Sequence, residues 1–176
     1  PNTREGSAGK PTFMADTGLA ASTMATDGQR AYAMFVNGDI VAFDFQGKQV
    51  WLRGFGVPKN EYGHAASLAT SKNNLIVQFD QGEAKDALSK IMALDGATGK
   101  TLWETPRKVS ASWSSPIVIR VGQQDQIVTM SDPWVIAYDP ADGKEIWRAN
   151  CLRQDVGPSP VYFEGTLYIA NQFPCL

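Results

Sequence analysis

The chain has 176 residues, 43% of them hydrophobic and 10% aromatic, which supplies a packed core and excludes bulk disorder. Its 16 basic and 18 acidic residues are well mixed and leave a formal charge of -2, which excludes a basic stripe for nucleic acid and a polybasic membrane patch. No run approaches the roughly 18 consecutive apolar residues of a membrane span, no basic-then-apolar leader is visible, and the chain opens at Pro1 rather than Met.

Residues 1–18 carry Gly, Pro and Thr with little periodicity and read as a link from a preceding unit. Strand-like runs follow at 20–26 and 30–36, about an Asp27-Gly28 turn. Next comes Ala42-Phe-Asp-Phe-Gln-Gly47-Lys-Gln-Val-Trp51, and this pattern recurs. After runs at 65–70 and 75–79 it reads Ala93-Leu-Asp-Gly-Ala-Thr-Gly99-Lys-Thr-Leu-Trp103. After runs at 116–121 and 126–130 it reads Ala137-Tyr-Asp-Pro-Ala-Asp-Gly143-Lys-Glu-Ile-Trp147. Each copy predicts a strand ending in Asp, whose side chain bonds the turn that follows. Gly47, Gly99 and Gly143 supply the positive φ of that turn, and a short strand then ends in Trp.

The three Trp residues fall 52 and 44 residues apart, a period that fits one propeller blade. Four strands per period predict antiparallel four-stranded blades at 19–52, 63–104 and 113–148, and 157–176 begins a fourth. The fold class is therefore all-β, a β-propeller, with about three and a half blades of a larger, seven- or eight-bladed ring. An array of that size leaves open sheet edges, so the chain is expected to belong to a longer protein.

The signature Ala-x-Asp-x-x-[Thr/Asp]-Gly-x-x-x-Trp resembles the repeat of the pyrroloquinoline-quinone (PQQ)-like β-propellers; the copy at 42–51 is one residue short. Ser-Pro pairs at Ser115-Pro116 and Ser159-Pro160 resemble that family's blade openings, from which Ser67-Leu68 and Ser22-Thr23 depart. The stretches Tyr62-Gly-His-Ala-Ala-Ser67, Ser112-Trp-Ser-Ser-Pro116 and Asp132-Pro-Trp-Val-Ile-Ala-Tyr138 resemble secreted PQQ-like propellers of environmental bacteria. The resemblance implies that Trp51, Trp103 and Trp147 dock each blade on its neighbour, and that the protein is periplasmic or secreted.

The family holds two groups. Quinoprotein dehydrogenases carry PQQ and Ca²⁺ on the propeller axis; non-catalytic members, including the lipoprotein of the outer-membrane assembly machinery, bind proteins. The dehydrogenases' adjacent-cysteine pair has no counterpart, because Cys151 and Cys175 lie far apart, and no CxxCH haem site is present. Those cysteines read as separate thiols, or as a disulfide in an oxidising compartment. The leading expectation is a binding or protein-interaction scaffold in the cell envelope. The alternative is a PQQ- and calcium-dependent alcohol or sugar dehydrogenase.

In an antiparallel meander, the turn between second and third strands and the link to the next blade share one end. There the sequence puts Asn37, Asp39, Asp80, Gln81, Asp132, Asn171 and Gln172 in turns, and His64, Trp113 and Asp155 in links. Asp and Asn are ordinary turn residues, yet oxygen-bearing side chains at a funnel also suit Ca²⁺. His64 is either a satisfied structural histidine or a site residue. Trp113, outside the Trp repeat, is the best candidate for contact with a protein, small-molecule or saccharide ligand. Residues 81–90 form an insertion on the same end. No Ser-His-Asp spacing and no phosphate loop is present.

Overall fold

The computed structural model describes residues 14, 18, 19 and 21–171. Ala20, Gln172 and Cys175 of the expectations above, and most of the 1–18 link, lie outside the described residues. Blade 1 comprises β1 (Ala25–Thr26), β2 (Arg30–Met34), β3 (Asp39–Asp44) and β4 (Gln49–Gly54). Blade 2 comprises β5 (Ala69–Ser71), β6 (Asn74–Phe79), β7 (Lys90–Asp95) and β8 (Thr101–Pro106). Blade 3 comprises β9 (Ile117–Val121), β10 (Gln124–Ser131), β11 (Trp134–Tyr138) and β12 (Glu145–Asn150), and the hairpin β13 (Val161–Phe163) and β14 (Thr166–Tyr168) opens a fourth. Every pairing joins chain neighbours and is antiparallel. Three and a half propeller blades are thus in place. The first strands are shorter than expected: β1 and β5 keep only the ends of the runs at 20–26 and 65–70. The one helical element among the described residues is a 3₁₀ turn, Ala84–Asp86, in the insertion of blade 2.

The repeated motif builds the same local structure three times. Ala42, Ala93 and Ala137 sit directly across from Trp51, Trp103 and Trp147, and a bulge follows each pair. Alanine is the small partner that leaves room for an indole. The indole then crosses to the next blade. Trp51 Nε1 donates to Gly96 O at 2.8 Å, and Trp103 Nε1 donates to Pro140 O at 3.0 Å. A Cβ on Gly99 would lie 2.7 Å from the Trp51 ring, and one on Gly143 would lie 2.4 Å from the Trp103 ring. The turn glycine therefore serves two purposes. It takes φ of +70° and +72° in these copies, and it presents a flat seat to the preceding blade's Trp. Trp147 donates instead within its own blade, to Gln126 Oε1 at 2.9 Å.

A second repeat links the chain just ahead of each blade's first strand. Thr23 N donates to Ser67 Oγ (2.9 Å), Ser67 N to Ser115 Oγ (2.8 Å), and Ser115 N to Ser159 Oγ (3.0 Å). Thr23, rather than Ser22, is thus the blade 1 counterpart of the later serines. Between the sheets lie three apolar layers, centred on Met34, Leu75 and Met92, on Ile76, Ile127 and Ile136, and on Val128, Met130 and Leu152. Blades dock through these layers.

Candidate functional site

The links and the second-to-third strand turns do share one end. His64 N donates to Val36 O, Phe55 N to Gly38 O, and Cys151 N and Leu152 N both to Pro133 O. On this end the structure forms an open groove of about 540 Å³, within the range of ligand pockets. Its wall includes Tyr62, Trp113, Asp155, Pro158 and Asn171. Three expected residues, Trp113, Asp155 and Asn171, therefore come together although they lie in two links and beyond β14. Tyr62 joins them without having been expected.

The rings of Tyr62 and Trp113 meet at 5.2 Å and 77°, edge to face. One side chain sets this arrangement. Asn60 Oδ1 accepts both from Trp113 Nε1 (3.0 Å) and from Tyr62 N (3.1 Å). The Asn60 turn is closed by Gly63 N donating to Asn60 O. Behind Trp113, the amides of Trp113 and Ser114 both donate to Val156 O, which fixes the 153–157 link against the aromatic pair. Gln154 in this link takes φ of +59°, a conformation that costs a non-glycine residue about 1–2 kcal/mol. The exposed Asp155 follows it. Asn171 Nδ2 donates to Arg153 O, tying the far wall to the same link.

The remaining expected residues lie apart from this groove. Asp80 is 4% exposed, and its carboxylate meets Arg107, also fully buried, with Nε–Oδ1 at 2.8 Å. Every guanidinium donor of Arg107 is met by Asp80 Oδ1 and Oδ2, Thr129 Oγ1, Tyr138 Oη or Ser131 Oγ. Asp80 also accepts from Gln78, Ser112 and Ser131. A carboxylate so engaged does not fit a calcium or quinone site, because its oxygens already serve the joint between blades 2 and 3. Among the described residues no three His, Cys, Asp or Glu side chains gather as metal ligands do.

His64 is likewise buried, stacked on Phe79 at 5.7 Å with Nε2 donating to Ala66 O at 2.8 Å. Burial without a water shell pulls its pKa down to about 4, against opposing effects of the Ala66 carbonyl and Asp80. Asn37 bonds Asp39 within its own turn. Gln81 braces the insertion, its Oε1 accepting from Lys59 N and its Nε2 donating to Leu88 O. Asp132 sits half-buried in the β10–β11 turn, before a cis Pro133. Cys151 is half-buried against the core of blade 3.

The model of the family described as outer membrane protein assembly factor BamB matches residues 87–172. This match covers about half of the chain. With the blade geometry above, the chain is similar to the PQQ-like β-propellers. Among solved structures this PQQ-like chain is similar to BamB from Moraxella catarrhalis, at 19% identity and a TM-score of 0.66, over 89% of this chain and 44% of that one. It is similar also to a europium-containing methanol dehydrogenase, at 17% identity and a TM-score of 0.52, over 75% and 26%. A computationally designed protein, Ika8, matches at 10% identity and a TM-score of 0.53, over 82% and 40%. The chain thus spans less than half the length of these structures, and at such identities the likeness is one of fold. No curated protein matches the chain. Among the described residues no helix is long and apolar enough to cross a membrane.

Proposed function

We propose that this PQQ-like propeller is a non-catalytic binding module of the cell envelope, periplasmic in location, that takes a segment of a protein partner in the Tyr62–Trp113 groove. The observation that carries this reading is the convergence of Trp113, Asp155 and Asn171 with Tyr62 on one open, aromatic-walled groove. Asn60 holds its two rings before any ligand arrives, and preorganised aromatic side chains are what recognition sites use as anchors. The likeness to BamB supports the protein-binding and envelope parts of the reading.

A dehydrogenase reading draws on the likeness to a methanol dehydrogenase; Asp80, one carboxylate expected to serve it, is engaged by Arg107 instead. One experiment separates the two. Peptides selected from a random library against the protein are expected to lose at least about tenfold in affinity with Trp113→Ala, while added PQQ and Ca²⁺ give no dye-linked oxidation of alcohols or sugars. Selected peptides indifferent to Trp113, or PQQ-dependent turnover, would overturn the proposal.

A further inference from the structure

Tyr62 and Trp113, packed edge to face at 77°, both line one groove. The face of an aromatic ring is negative and attracts cations. Elsewhere the chain supplies its own cation to such rings. Arg53 lies 4.8 Å from the Phe55 centroid, Arg148 lies 5.0 Å from that of Trp134, and Arg107 lies 5.6 Å from that of Tyr138. Neither Tyr62 nor Trp113 has such a partner among the described residues, and no Lys or Arg lines the groove. The same wall carries Asp155, exposed and without an ion pair among the described residues. Arg153 points its guanidinium elsewhere, to Asn150 and Leu152. Two aromatic rings and one carboxylate, with no cation beside them among the described residues, leave a corner of negative potential whose complement is a positive charge.

From this geometry we infer that the groove recognises a cationic side chain, arginine in preference to lysine, on the segment of the protein partner. The inference rests on the binding-module reading above and specifies what the groove takes. Arginine fits better because its planar guanidinium stacks on an indole while its N–H fork pairs with a carboxylate. Lysine offers a point charge on a flexible stem. The open groove leaves room for the partner's backbone on either side of the anchored residue.

The test uses the whole chain and three synthetic peptides, acetyl-Gly-Ser-X-Ser-Gly-amide, with X arginine, lysine or citrulline, the neutral isostere of arginine. Titration calorimetry is expected to show the arginine peptide binding about tenfold tighter than the citrulline peptide, with lysine between them. Asp155→Asn, a change at an exposed position, should narrow that ratio to about twofold or less. Equal affinity for arginine and citrulline, or no arginine binding up to millimolar concentration, would overturn the inference. Library-selected peptides that lack basic residues yet still require Trp113 would also overturn it, while leaving the groove as a binding site. Loss of both the charge preference and the Trp113 dependence would remove the underlying reading as well.

Discussion

Asp80 and Arg107 meet with neither side chain exposed, so removal of one leaves the other charged, dry and unmatched. Asp80→Ala is expected to cost about 3–5 kcal/mol in denaturant unfolding. The double replacement Asp80→Leu with Arg107→Met should cost less than either single change, because it removes both charges together. A larger loss in the double variant would contradict the account of this node. His64 gives a pH-dependent prediction. Its folded pKa of about 4 lies below the ordinary value of about 6.5, so between these values the unfolded chain binds the proton more readily. The stability gained by burying a neutral ring is full above about pH 6.5, is lost as pH falls toward 4, and totals on the order of 3 kcal/mol. His64→Gln, which keeps a donor for Ala66 O, should flatten that part of the pH–stability curve relative to the parent. Asp80 shows how far single residues can be read from sequence. An Asp just past a strand reads as turn or rim, and its partner Arg107 lies 27 residues on, outside any repeat. Asn60, which positions both aromatic rings, carries no pattern at all. Trp113 was legible because it breaks the Trp period.

At the scale of the element, the Trp–Gly pair is the joint between blades. Gly99→Ala and Gly143→Ala would each place a methyl within 2.7 and 2.4 Å, respectively, of a rigid indole, in addition to the strain of a positive φ. Each should destabilise by more than about 2 kcal/mol. Gly47 has the same backbone, with φ of +80°, but meets nothing within 4 Å. Gly47→Ala should therefore cost only the conformational part, about 1 kcal/mol. Thermal melts of the three variants check the contrast, and equal losses would show that the seat for Trp is not what these glycines provide. This joint was legible because its sequence motif repeats three times in phase, with turn chemistry that only Gly satisfies. The first strands were less so. β1 and β5 are two and three residues long, and the chain before them is held by side-chain acceptors, Ser67 Oγ and Ser115 Oγ, rather than by ladder pairing. Alternating hydrophobicity does not distinguish those two means of support.

Across the whole molecule the two ends of the blades divide the work. One end holds the Asp-turn-Gly segments and the indoles of Trp51 and Trp103, which fasten blade to blade. The other end holds the links, where Asn60, Val156 and the strained Gln154 shape a groove around Tyr62 and Trp113. Trp51, Trp103 and Trp113 therefore report on different ends of the blades, and one spectrum separates them. In a ¹H–¹⁵N correlation spectrum of the labelled chain, the indole signals of Trp51 and Trp103, bonded to Gly96 O and Pro140 O, should exchange slowly and stay fixed when an arginine-bearing peptide is added. The indole of Trp113, bonded to Asn60 at the groove wall, should shift in a saturable manner. A fixed Trp113 signal beside shifting Trp51 or Trp103 signals would contradict the division of the molecule into a docking end and a binding end.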